Sequence, residues 1–129
     1  MRMPTSVSRR QALVTAAAGL AAWRAAPALA QAGNWPAKTV TVVVPYAAGG
    51  GTDIIARTVA QRLQERWGQS VVVDNKAGAN GTIGSAFVAK APPDGYTLLM
   101  VVGSHAINPV LMKSLPYETR TAFTPVMLL

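Results

Sequence analysis

Residues 39–53 read TVTVVVPYAAGGGTD, and this stretch decides the fold. Its first six residues are mostly β-branched and carry no charge, which predicts a strand from Thr39 to Val44 that is buried on both faces. Pro45 ends the strand, and a loop with three successive glycines leads to Asp53. This order, a buried strand followed by a loop and a helix, is typical of α/β proteins with a parallel sheet.

An amphipathic helix is predicted from about Asp53 to Trp67. Its apolar residues recur on one face: Ile55, Ala56, Val59, Ala60, Leu63 and Trp67. Thr52 or Gly51 can cap the start of the helix, and Gly68 suits a left-handed C-terminal cap.

Strands and helices continue to alternate after this helix, which favours a parallel sheet with right-handed crossovers. The predicted segments are, in order, a strand over 70–73, a helix over 81–90 capped by Asn80, a strand over 96–102, a loop over 103–108 and a helical turn over 109–112. Phe87 is predicted in the core with Leu63 and Trp67. Residues 126–129 resemble an unfinished strand, so we expect the chain to be the first part of a longer product.

Composition excludes several classes of site. The 129 residues include no cysteine and one histidine, which excludes disulfides, thiolate nucleophiles and histidine-rich metal sites. The formal net charge is +7, but four of the arginines lie in residues 1–30, which contain no acid. The remainder is only mildly basic and lacks the cationic stripe that nucleic-acid binding requires.

Residues 1–30 have the order of an export signal. A segment with Arg9-Arg10 precedes a weakly apolar run over 12–22, and Ala28-Leu29-Ala30 forms a small-residue cleavage site. The arginine pair resembles a twin-arginine signal. We therefore expect cleavage after Ala30, a periplasmic α/β domain over 31–129 and no membrane anchor after cleavage.

Three loops follow the predicted strands, at residues 46–53, 78–84 and 103–108. In an open parallel sheet, ligands bind beyond the carboxyl ends of the strands. The uncharged N–H and O–H donors of these loops suit a carboxylate better than a polyphosphate. Asp53 could act as a general base, but an acid in the first turn of a helix is more often a cap. No nucleophile is paired with His105 by spacing, so we expect no catalytic residue.

Two nucleotide-binding motifs match the sequence poorly or not at all. A P-loop requires a lysine after the glycines, and none is present. A dinucleotide-binding motif fits Gly49 and Gly51 but fails at Ile54, where a small residue is needed, although Asp74 lies where a ribose-binding acid would. We expect no bound cofactor and no metal.

The sequence resembles the Bug family, the extracytoplasmic solute receptors of tripartite tricarboxylate transporters. The resemblance covers nearly all of residues 35–129 and rests on spaced blocks: WP at 35–36, VVVPYAAGGGTDIIAR at 42–57, GQSVVVDNKAGANG at 68–81, APPDGYTLL at 91–99, INP at 107–109 and LPY at 115–117. Asn80 stands where the family commonly has glycine, and Lys76 where it commonly has arginine.

This resemblance implies the first part of domain one of a two-domain periplasmic-binding-protein fold that closes on a small carboxylate and catalyses no reaction. It implies the membrane subunits of a tripartite transporter as partners. The carboxylate would be held by backbone N–H groups and ordered water. The implied ligand-binding residues are Tyr46, Gly49, Gly50, Gly51, Asp53, Gly78, Ala79, Asn80, Gly81, Thr82, Ser104, His105 and Asn108.

Two alternatives remain open from the sequence. The first is an exported enzyme with a Rossmann-like domain, which the absence of a nucleophile–base pair near the three loops disfavours. The second is a truncated relic without function.

Overall fold

Three parallel strands form the sheet of this protein. The computed structural model describes residues 35–129, with β1 at Val40–Val44, β2 at Val71–Asn75 and β3 at Thr97–Leu99. Their order is β2-β1-β3, and both pairs are parallel. The chain between consecutive strands contains a helix in each case, so the predicted α/β class is confirmed.

The central strand β1 is buried on both faces, as its sequence predicts. Val40, Val43 and Val44 are fully buried, and Val42 is 4% exposed. Complete burial of a valine side chain contributes roughly 1.5–3 kcal/mol. The valine run therefore anchors the sheet and fixes where the loop after it emerges.

Helix α1 spans Gly51–Trp67 and begins two residues earlier than predicted. Its N-cap is Gly50, which has no side chain, so the prediction that Thr52 or Gly51 caps the helix was wrong. Gly68 ends the helix with φ +65°, and its N–H donates to the Gln64 carbonyl at 2.9 Å. This confirms the left-handed C-terminal cap.

The buried face of α1 differs in part from the prediction. Its buried residues are Asp53, Ala56 and Ala60, while Leu63 and Trp67 pack against the core from its edge. Ile55, predicted to face the core, is 51% exposed. Asp53, Ala56 and Ala60 recur at helical spacing and define the buried stripe, so Ile55, the neighbour of Ala56, lies on the flank of the helix.

The second and third strands also differ from their predicted bounds. β2 continues through Asp74 and Asn75, which were predicted in a loop, because Val43 and Val44 of β1 go on pairing with them. β3 is shorter than predicted because only Thr97–Leu99 pair with β1.

A short 3₁₀ turn, Ala79–Gly81, precedes helix α2 at Thr82–Ala89. The N-cap of α2 is Gly81, so the prediction that Asn80 caps this helix was wrong. Phe87 of α2 is 48% exposed and was wrongly predicted in the core. The Lys76 ammonium lies 4.4 Å from its ring centre, an arrangement that suits a ring at the surface.

Helix α3 spans Ser104–Leu111 and replaces the loop and helical turn predicted there. The helix starts with two backbone hydrogen bonds. The His105 N–H donates to the Val102 carbonyl, and the Ala106 N–H donates to the Gly103 carbonyl. Residues 126–129, predicted as an unfinished strand, have no regular structure and are 67–96% exposed. The predicted signal at 1–30 lies outside the described residues.

Candidate functional site

The loops that follow the three strands emerge at one edge of the sheet. Since β1 pairs in parallel with both β2 and β3, their carboxyl ends face the same way. The loops lead to α1, to the 3₁₀ turn before α2, and to α3. The structure therefore places residues 46–53, residues 78–84 and the start of α3 at the edge of the sheet where ligands bind in open parallel sheets.

The loop after β1, residues 45–50 and here called the glycine loop, leads to the first backbone N–H groups of α1. Gly49 has φ +81°, a left-handed conformation that favours glycine, and Gly50 is extended. The first backbone bond into the helix runs from the Ile54 N–H to the Gly50 carbonyl at 3.0 Å. The N–H groups of residues 51–53 thus have no acceptor within the helix. Such groups, together with the helix dipole, favour an anion.

Asp53 is a buried acid that accepts hydrogen bonds from three groups of the protein. Its Oδ2 accepts from the Gly49 N–H at 2.8 Å and from Arg57 Nε at 3.0 Å, and its Oδ1 accepts from Asn75 Nδ2 at 2.9 Å. The hydrogen bond from Arg57, followed by those from Gly49 and Asn75, lowers the pKa of Asp53 to about 2. A carboxylate held this way is a weak base. Asp53 therefore fixes the glycine loop to α1.

Tyr46 connects the glycine loop to the start of α3. Its hydroxyl lies 2.8 Å from Ser104 Oγ and accepts a longer bond from the Val102 N–H at 3.4 Å. A side chain added at Gly81 would meet the Tyr46 ring at 3.3 Å. Tyr46, Gly81 and Ser104 therefore lie together, as expected for residues of one site.

The loop after β2, residues 76–81, is fixed to α3 by an asparagine pair. Asn80 Nδ2 donates to Asn108 Oδ1 at 2.7 Å, and Asn108 Nδ2 donates to the Asn80 carbonyl at 3.0 Å. Asn108 is 1% exposed, while Gly78, Ala79, Asn80 and Gly81 all have positive φ. Both asparagines thus hold an unusual backbone in place.

Two further candidate residues contact other parts of the chain. Thr82 Oγ1 donates to Met112 Sδ at 3.3 Å. His105 stacks on Tyr117 and meets Phe123 edge-on, with ring centres 5.8 and 5.1 Å apart, and its Nδ1 lies 3.4 Å from Ser85 Oγ. Burial lowers the pKa of His105. The histidine therefore lies in an aromatic cluster formed with the C-terminal segment.

Sequence reasoning missed Arg57 and Asn75, which complete the surroundings of Asp53. The spacing of Asp53 and Arg57, four residues apart on a helix, could have indicated their ion pair. Nothing in the sequence near Asn75 indicates its role, because its partners lie on other elements.

Within residues 35–129, no cluster of three His, Asp or Glu side chains could hold a metal ion, and no helix is long and apolar enough to cross a membrane.

Comparisons with known proteins identify the family of the chain. The family described as "Tripartite tricarboxylate transporter family receptor" matches residues 55–129. The chain belongs to this family. Its resemblance to the Bug proteins is thereby confirmed. Curated relatives are 38–45% identical over the matched residues, and the chain spans 28–32% of their length.

Three solved structures of the family show the same fold. The periplasmic binding protein BugD is 46% identical with a TM-score of 0.68, and the match covers 70% of this chain and 30% of BugD. MatC from Rhodopseudomonas palustris with bound malate is 42% identical with a TM-score of 0.67, covering 71% and 32%. A second R. palustris protein, with adipate, is 45% identical with a TM-score of 0.64, covering 67% and 29%. The expected periplasmic-binding-protein-like fold is confirmed for the part of the domain that the chain contains.

Proposed function

We propose that this chain forms part of a periplasmic receptor that binds a small organic acid through its carboxylate and catalyses no reaction. The observation that carries the proposal is the set of N–H groups at residues 51–53, which have no acceptor among the described residues 35–129 and lie at the same sheet edge as the loop over 76–81. Two relatives with this fold hold malate and adipate, which are both dicarboxylates. The ligand-binding residues proposed are those implied by the resemblance, with Asp53 and His105 acting through the protein rather than on the ligand.

The enzyme alternative receives no support from the geometry. Asp53 has three protein donors and a lowered pKa, so it is ill suited to remove a proton from a substrate. His105 is packed between aromatic rings. A binding function needs neither residue to be chemically available.

The carboxylate site is tested by titrating the ¹⁵N-labelled full chain with succinate and, as a neutral match, with succinamide. We expect saturable amide shifts at residues 49–53 and 78–82 with succinate and none with succinamide, because the donors select negative charge. Equal shifts with both compounds, or succinate shifts spread evenly over the chain, would contradict the proposal.

The resemblance also supports delivery of the acid to the membrane subunits of a tripartite tricarboxylate-type transporter, after export by a signal in residues 1–30. Replacing Arg9 and Arg10 with lysine is expected to abolish periplasmic accumulation, because the twin-arginine route reads the arginine pair itself. Fractionation and immunoblotting measure this. Replacement of Arg2, outside the pair, is the matched control, and undiminished accumulation of the double variant would indicate the general secretory route.

A further inference from the structure

Asn75, the last residue of β2, contacts both the glycine loop and the first turn of α1. Its Nδ2 donates to the Tyr46 carbonyl at 3.3 Å and to Asp53 Oδ1 at 2.9 Å. Tyr46 precedes the three glycines and Asp53 follows them. One amide side chain on a neighbouring strand therefore spans the segment that presents the proposed anion donors.

The other end of the same amide binds Arg57. Arg57 Nη2 donates to Asn75 Oδ1 at 3.0 Å, and Arg57 Nε donates to Asp53 Oδ2 at 3.0 Å. Asp53, Arg57 and Asn75 thus form a closed triangle, to which the Gly49 N–H is also bonded. The negative charge of Asp53, three residues from Gly50, is balanced by Arg57 within this triangle.

The two glycines of the glycine loop, followed by Gly51 at the start of α1, need such support if this segment is to bind an anion. Glycine has the widest choice of backbone conformations, so an unsupported loop would lose much entropy on binding. Groups that fix the loop beforehand reduce that loss and raise affinity without touching the ligand.

We propose that Asn75 is a positioning residue of the carboxylate site, which fixes the glycine loop and keeps Asp53 paired with Arg57. This inference rests on the proposed function. Asn75 is only half-buried and lies outside the core formed by the β1 valines and the α1 alanines. Its loss should therefore change the loop much more than the fold.

The test compares Asn75→Ala and Asn75→Asp with the unchanged full chain. We expect Asn75→Ala to weaken succinate binding roughly fivefold to tenfold and to speed amide hydrogen exchange at Gly49 by a similar factor, with a fall in Tm of about a few degrees because buried Asp53 loses one donor. Asn75→Asp should bind more weakly still, because it replaces the donor with a charge that repels Asp53 and the ligand. If Asn75 acted only through its shape, Asn75→Asp would bind succinate more tightly than Asn75→Ala, since aspartate has the shape of asparagine.

Gln61→Ala is the matched control, since Gln61 is an exposed amide on α1 whose side chain, among residues 35–129, donates to Glu65 and to no residue of the glycine loop. It should leave both succinate affinity and Gly49 exchange unchanged. Succinate binding by Asn75→Ala equal to that of the unchanged chain would overturn the inference and leave the proposed function standing. If the unchanged chain shows no succinate shifts, the proposed function fails and this inference fails with it.

Discussion

Replacing Gly84 with alanine is expected to lower the free energy of unfolding by about 2 kcal/mol. Gly84 lies in α2, where the helix crosses the end of β1. An added Cβ would lie 2.7 Å from Pro45 Cβ and 2.9 Å from the Lys76 carbonyl oxygen. These are backbone and ring atoms that cannot rotate away, so the helix must move. The higher helix propensity of alanine, about 1 kcal/mol, offsets only part of this cost.

Urea denaturation measures the effect. Gly103→Ala is the matched control, because Gly103 has φ −51° and an added Cβ there would meet no atom within 4 Å. We expect its free energy of unfolding to stay within about 0.5 kcal/mol of that of the unchanged chain. Equal stability of Gly84→Ala and Gly103→Ala would show that α2 is not held against Pro45 as described.

Replacing Gly50 with valine is expected to weaken succinate binding at least about tenfold, or about 1.4 kcal/mol. Gly50 has φ −74° and ψ 166°, an extended conformation that valine adopts readily, and an added Cβ would lie 3.3 Å from the Ala47 carbonyl oxygen. The fold should therefore survive. The branched side chain would stand beside the N–H groups of residues 51–53, which have no acceptor within the helix. Charge-assisted bonds from such groups to an anion contribute roughly 1.5–3 kcal/mol each.

Amide shift titration with succinate measures this loss. Gln61→Val adds the same branched side chain to the exposed face of α1, away from the loop, and should bind succinate like the unchanged chain. Succinate affinity of Gly50→Val equal to that of Gln61→Val would mean that the ligand does not approach the backbone at this point.

The elements predicted correctly are those whose signals are local. The uncharged β-branched run specifies β1, and Gly68 specifies the end of α1 because its left-handed conformation is costly for other residues. The face of α1 was harder to predict. Large apolar residues indicate a core, but here two alanines and an acid occupy the buried stripe, and Ile55 lies outside it.

Helix α3 could not be predicted because its support is tertiary. Pro109 suggests a helix start, and the polar residues before it suggest a loop. The helix instead begins at Ser104, where Tyr46 bonds its first turn and Asn80 satisfies the buried Asn108. These partners lie 58 and 28 residues away.

The meeting of the candidate loops at one sheet edge was predictable, because parallel strands place their carboxyl ends together. The role of Asp53 in fixing the glycine loop was not predictable. Its carboxylate depends on Asn75, which follows from the extension of β2 along β1 to the pair Val44 and Asn75. The length of a strand is set by its pairing with a neighbouring strand, so the extension of β2 to Asn75 could not be predicted from the sequence.

A second aromatic cluster, formed by Trp35, Trp67 and Tyr96, lies at the edge of the sheet opposite the glycine loop and provides a fluorescence signal for folding. The ring centres of Trp35 and Trp67 are 5.0 Å apart, and those of Trp35 and Tyr96 are 6.0 Å apart. Trp35 and Tyr96 precede the amino ends of β1 and β3, so five strand residues, about 16 Å, separate this cluster from the glycine loop. In a Trp23→Phe variant, which leaves Trp35 and Trp67 as the tryptophans, tryptophan emission should therefore follow unfolding while remaining insensitive to a carboxylate at the opposite edge. Stability and affinity can thus be read in one sample by two independent signals, fluorescence for the first and amide shifts for the second.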